Sequence, residues 1–175
     1  MTITGAIQLI NSNRLKGTGP QQWADLGSGN GIFSKALLRL LPADSSIYAL
    51  DKRPTIFQEK QIKFVQQDFE NDPLSLPPLH GLIMANALHF VQNKILLLQK
   101  VRNCLLPGGI FVLVEYNTDV ANRYVPYPIS FDSAVTLFKE AGFGMLEKIS
   151  EYPSVYQRAG MYGAQGIKRV EWLSG

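Results

Sequence analysis

The stretch Ala24-Asp25-Leu26-Gly27-Ser28-Gly29-Asn30-Gly31 constrains this chain more than any other. It follows a short apolar run and opens a helical pattern, so three glycines fall where a strand must turn sharply into a helix. Such a turn brings bare backbone amides close to a ligand, and glycine suits it because no Cβ blocks positive φ or close approach. Twenty residues beyond Gly31, the apolar run Ile47-Tyr48-Ala49-Leu50 ends in Asp51, a carboxylate placed to accept hydrogen bonds from both ribose hydroxyls. Loop, helix and acid together describe a nucleoside pocket.

The spacing separates two kinds of nucleoside ligand. A dinucleotide fingerprint reads G-x-G-x-x-G and rests a pyrophosphate on the helix N-terminus. This chain reads G-x-G-x-G, with Ile32 where the last glycine would fall, and Asp25 stands two residues before the first glycine. The pattern resembles the first motif of the class I S-adenosylmethionine-dependent methyltransferases, whose ligand carries a sulfonium and an amino acid end in place of phosphates. The resemblance covers most of the chain from about Gln22 onward.

Residues Met1 to Lys16 carry an amphipathic pattern (Ile3, Ile7, Ile10) that ends at the breaker Gly17-Thr18-Gly19-Pro20. By the resemblance, residues 1–20 form a short segment that partly covers the cofactor. Gln22 to Leu26 reads as the first strand. Phe33, Ala36, Leu37, Leu40 and Leu41 then form an apolar helical stripe that Pro42 ends. Ser46 to Leu50 is the second strand, Pro54 begins a short helix or turn, and Ile62 to Val65 is the third strand. The proline-rich stretch Asp72 to Pro78 is a loop, Gly81 to Ala85 the fourth strand, and Asn93 to Leu106 a helix stopped by Pro107-Gly108-Gly109. Ile110 to Val114 is an unbroken apolar run, as a strand covered on both faces requires.

A loop from Asn117 to Ser130 leads to a helix with Ala134, Leu137, Phe138 and Ala141 inward and Gly142 as its stop. Phe143 to Tyr152 and Ala164 to Trp172 close the chain as two strands with no helix between them, so they run antiparallel. Alternating β and α units ending in such a hairpin fit the class I methyltransferase sheet. The resemblance implies one α/β domain of Rossmann-like form over residues 1–175, seven-stranded and mostly parallel, with strand order 3-2-1-4-5-7-6.

Ligands of an open α/β sheet sit beyond the carboxyl ends of its parallel strands. By the resemblance, Gly27, Ser28, Gly29 and Gly31 face the methionine part of S-adenosylmethionine, Asp25 lies near its amino group, and Asp51 with Lys52 serves the ribose. Asp68 would accept from the adenine amino group while Phe69 packs on the ring; the alternative is that Asp68 caps the following turn. Asn86 opens the fourth motif, Asn86-Ala87-Leu88-His89-Phe90, which lacks the two prolines and the tyrosine found where planar amides are methylated. His89 is the candidate general base, since an imidazole exchanges a proton near neutral pH, and a histidine satisfied by local hydrogen bonds is the alternative. His80 lies at the opposite end of the sheet and reads as structural. Methyl transfer from a sulfonium is an in-line displacement on an activated carbon, so alignment and exclusion of water suffice and no nucleophilic triad or metal is required.

Two loops at the same sheet edge hold the substrate candidates: Glu115, Arg123 and Tyr124 after the fifth strand, and Tyr156, Arg158 and Tyr162 between the last two. Aromatics with two arginines suit a small, partly apolar acceptor carrying a carboxylate or phosphate; against this, the tyrosines would close the core and the arginines would be solvated. With 175 residues, 46% apolar and 18% charged, the chain suits one globular domain. Its net charge of +3 is scattered without a dense basic run, which gives little support to nucleic acid. Cys104 is the only cysteine and excludes an internal disulfide. No leader pattern and no long apolar run are present, so the expected location is cytoplasmic and no membrane partner is expected. The leading expectation is methyl transfer to an oxygen or nitrogen of a small molecule. Its rivals are an RNA or protein acceptor, a module that binds the cofactor without turnover, and a nicotinamide oxidoreductase.

Overall fold

The computed structural model describes residues 1–153 and 159–170. Seven strands form one sheet: β1 (Gln22–Leu26), β2 (Ser46–Asp51), β3 (Ile62–Gln66), β4 (Leu79–Ala85), β5 (Leu105–Tyr116), β6 (Glu147–Tyr152) and β7 (Met161–Ile167). Their spatial order is β3-β2-β1-β4-β5-β7-β6. The first five strands are mutually parallel, whereas β7 pairs antiparallel with both β5 and β6. The expected fold class and strand order therefore hold.

Four α-helices cover the sheet: α1 (Ile3–Ile10), α2 (Ile32–Leu40), α3 (Lys94–Cys104) and α4 (Phe131–Glu140). Leu9, Ile10, Phe33 and Leu37 bury one face of the sheet with Trp23, Ile47 and Val112, while Leu97, Val101, Ala134 and Phe138 bury the other with Leu82, Phe111 and Leu113. Side-chain caps start three of the helices, at Thr2, Asn93 and Ser130. The start of α2 is different: Gly31 precedes it in the left-handed conformation with no side chain to cap it, and Asn30 Oδ1 accepts from Ile32 N at 3.3 Å.

Several boundaries differ from the sequence reading. Among the described residues no helix joins β2 to β3 or β3 to β4; turns and extended chain make both crossings. Pro107-Gly108-Gly109 lies inside β5, where a register shift opposite Leu79 and Gly81 absorbs it. Strand β7 starts at Met161 rather than Ala164, and β6 at Glu147 rather than Phe143. The segment before β1 is a helix of the α1/α2 layer, buried through Gly5, Ala6, Leu9 and Ile10. No helix among the described residues is long and apolar enough to cross a membrane.

Candidate active site

The carboxyl ends of β1, β2 and β4 open into a cleft of about 850 Å³. Its floor is the bend after β1. The amides of Gly27 and Ser28 donate to Leu50 O on β2, at 2.8 and 3.0 Å, which ties the bend to the neighbouring strand. Gly27 has φ +79°, and a Cβ there would stand 2.6 Å from that of Ala87, so only glycine fits. Asp51 accepts from Gly29 N at 2.8 Å and from Arg53 N at 2.9 Å, and Thr55 Oγ1 donates to Gly29 O at 2.7 Å. Each Asp51 oxygen keeps acceptor capacity toward the cleft. Gly31 does not line it; Gly31 starts α2, with Phe57 packed where a Cβ would go.

Asp25 is buried, and its Oδ2 accepts from Ser34 Oγ at 2.5 Å. Burial pushes its carboxyl up to about 7, against the lowering effect of the Ser34 hydrogen bond. The other oxygen, Oδ1, has no partner. Among the described residues four buried side-chain atoms are orphaned in this way, and three of them, Asp25 Oδ1, Ser28 Oγ and Asn86 Oδ1, belong to residues lining this cleft. Asn86 also holds a left-handed backbone, φ +52°, with its amide bonded to Val114 O. Leaving such groups unpaired costs about 1–3 kcal/mol each, so their concentration here marks a site built for a polar ligand.

Asp68 does not line the cleft, contrary to the adenine role expected of it. Its Oδ1 accepts from Glu70 N and Asn71 N, and its Oδ2 accepts from Asn71 Nδ2 at 2.8 Å and pairs with Lys52 Nζ at 2.9 Å. Partial burial works the other way, but these bonds hold the carboxyl at about 2. Asp68 thus caps the turn after β3. Phe69 and Glu70 of that turn do line the cleft, as does Lys52.

His89 and Glu115, given separate roles by the sequence, are one buried unit. His89 sits in a 3₁₀ turn after β4 and Glu115 near the end of β5, which are adjacent strands. Glu115 Oε1 accepts from His89 N at 3.1 Å, and Oε2 lies 2.7 Å from His89 Nδ1. A carboxylate there favours the Nδ1–H tautomer and leaves Nε2 as the acceptor. The Phe90 ring packs on the imidazole at 4.2 Å between centroids and lines the cleft, whereas His89 itself is buried behind it and does not.

Residues 24–113, from β1 into β5, match the family described as the methyltransferase domain. The chain belongs to that family. It is an S-adenosylmethionine-dependent methyltransferase. A search of curated proteins finds no match. Among solved structures, the fold is similar to the Burkholderia thailandensis 1,6-didemethyltoxoflavin-N1-methyltransferase with bound 1,6-didemethyltoxoflavin and S-adenosylhomocysteine: TM-score 0.77, 15% identity, covering 96% of this chain and 78% of that one. It is also similar to human N-acetylserotonin methyltransferase in complex with S-adenosylmethionine, at TM-score 0.68 and 18% identity, covering 96% of this chain but 52% of the human one. A third is an arsenic(III) S-adenosylmethionine methyltransferase from Chlamydomonas reinhardtii, at TM-score 0.68 and 14% identity, covering 86% and 64%.

The cleft of this methyltransferase suits its cofactor. Asp25 Oδ1 offers a buried acceptor for the ammonium, Asp51 offers acceptors for ribose hydroxyls, and Phe69 offers an apolar wall for a base. The expected substrate residues fare differently. Arg123 and Tyr124 form the exposed tip of the turn between Asn122 and Val125 and do not line the cleft. Tyr162 is fully buried in β7, its hydroxyl donating to Ile129 O at 3.1 Å and its ring edge-on to Phe131, so it closes the core instead of meeting substrate. Glu115 is likewise fully buried and meets His89 rather than solvent. Tyr156 and Arg158 lie outside the described residues. The sequence reading missed Met1, Thr55, Glu70, Phe90 and Val91 as cleft residues. Phe90, an aromatic beside the one histidine at the carboxyl edge, was the signal available.

Proposed function

We propose that this methyltransferase acts on a small molecule that presents a weakly acidic oxygen or nitrogen on a flat, apolar body, with His89 as general base and Glu115 as its positioning residue. The buried His89–Glu115 pair behind Phe90 carries this reading. S-adenosylmethionine, when bound, supplies a methyl carbon already activated by its sulfonium. Asp25, Asp51 and the Gly27–Gly29 backbone hold and orient the two ends of the donor. Phe90, 58% exposed, gives the acceptor a ring to stack on, and Met1 and Val91 extend that apolar surface. His89, buried behind Phe90 and not itself lining the cleft, would take the acceptor's proton at Nε2, and Glu115 would stabilise the imidazolium so formed. Two of the similar structures are named as methyltransferases of 1,6-didemethyltoxoflavin and of N-acetylserotonin, which agrees with a small acceptor. Arg123 does not line the cleft and so adds nothing to the expectation of an anionic group on the acceptor; Arg158, the other arginine of that expectation, lies outside the described residues.

The test is incubation of the protein with methyl-labelled S-adenosylmethionine and, separately, a panel of neutral phenols and N–H heteroaromatics, total RNA, and a protein extract. Label is expected on a member of the panel. Label on RNA or protein alone overturns the acceptor class, and cofactor binding without transfer to any pool favours a non-catalytic binding module.

A further inference from the structure

The turn after β3 carries Phe69 and Glu70 into the cleft, yet a single turn cannot hold itself, since one turn fixes several dihedrals for little hydrogen bonding. Its amide end is capped by Asp68, as described above. Its carbonyl end is held from outside. Lys100, on α3, directs its ammonium at three backbone carbonyls: Phe69 O at 2.9 Å, Glu70 O at 3.2 Å, and Asp72 O. Three N–H donors meet three acceptors, so the ammonium is fully used and has no side-chain partner to pull it elsewhere.

We infer that Lys100, which does not itself line the cleft, is a positioning residue for cofactor binding: it sets the place of the wall that Phe69 and Glu70 present to the purine. The reasoning is geometric. Phe69 Cε1 would lie 3.5 Å from a Cβ on Gly27, so the turn sits directly beside the glycine bend on the cleft floor. Moving the turn outward by a fraction of a bond length opens that gap. Lys52, on the β2 side, pairs with Asp68 at the other end of the same turn. The turn is therefore gripped from β2 and from α3, and only the α3 grip reaches the carbonyls of the two lining residues.

Two variants and two ligands test this. Lys100→Met keeps an unbranched apolar stem and removes the donors; Lys100→Gln keeps a neutral amide donor of shorter reach and serves if the first variant does not fold. By calorimetry, S-adenosylhomocysteine should bind Lys100→Met about tenfold more weakly than the wild type, as expected for losing charge-assisted bonds. Adenosine, which has the purine but no amino acid end, should lose the same factor. Hydrogen exchange of amides 68–72 should quicken in the free variant, with the melting temperature near that of the wild type. Binding of S-adenosylhomocysteine within twofold of wild type overturns the inference. So does a loss clearly larger for S-adenosylhomocysteine than for adenosine, which would mean a general loosening of the cleft. Wild-type binding in the same series checks the cofactor assignment independently of Lys100.

Discussion

The two halves of the cleft are built by different means. The donor half is made of strand ends: Asp25 closes β1, Asp51 closes β2, Asn86 follows β4, and the bend at Gly27 is tied to Leu50 O. Sheet pairing fixes all of them, so their geometry comes with the fold. The acceptor half depends on a 3₁₀ turn, a helix start and exposed side chains such as Met1 and Phe90. Rigid strand ends suit a ligand common to a whole family, whereas short turns can vary from chain to chain without disturbing the sheet.

This contrast is open to direct attack. The largest effect is expected from Asp25→Ala, which removes the buried acceptor and should weaken S-adenosylhomocysteine by at least about a hundredfold in calorimetry, the scale for losing a buried charged partner. If affinity survives, the donor half is not built around β1. Next, His89→Gln should lower methyl transfer by roughly 10²–10⁴-fold for any acceptor identified, with cofactor affinity unchanged, and Glu115→Gln should shift the pH profile of the rate. Loss of cofactor binding in either variant would mean that the two halves are one unit.

A pH series sharpens the same boundary. The Asp25 carboxyl, held near 7 in the folded protein against about 4 when exposed, binds its proton more tightly folded than unfolded. Its contribution to the stability of the free protein therefore declines as pH rises from 4 through 7. With Asp25 in its proposed place beside the cofactor's ammonium, cofactor binding has the opposite sign, because the ammonium would pair with the ionised form. Affinity for S-adenosylhomocysteine should rise roughly tenfold from pH 6 to pH 8, while the free protein's melting temperature falls over the same interval. Asp25→Asn should remove both slopes. The smallest effect is expected from Arg123→Ala with Tyr124→Ala: on an exposed turn, the pair should change stability by under about 0.5 kcal/mol in chemical denaturation and leave cofactor affinity as it was.

How legible each half was in the sequence follows from the same physics. The succession of strands and helices could be read because glycine loops, apolar runs and a helix-free final hairpin are local signals with local causes, whereas the order of strands in the sheet was implied only by the family resemblance. The donor acids were legible for the same reason: each sits at the end of a run that must be a strand. Asp68 was misplaced because the pattern Asp68-Phe69-Glu70-Asn71-Asp72 also encodes an Asx-capped turn, and that use of the carboxylate won. Tyr162 was misplaced by a three-residue error in where β7 begins, enough to move it from loop to core. The His89–Glu115 pair joins residues 26 apart in sequence and becomes visible only once β4 and β5 are known to be neighbours. Pro107-Gly108-Gly109 read as a helix stop, but the helix ends earlier, at Cys104, and nothing local told that the strand had already begun at Leu105.

Helix α1 lies so close to the sheet that the carbonyl of Leu9 rests where a Cβ on Gly163 would stand, and the Ser150 hydroxyl donates to that same oxygen at 3.0 Å. A contact of backbone on backbone has no slack to give. Helix α1 is thereby pinned against β7 along its last turn, and a residue as small as alanine at position 163 would pry it loose.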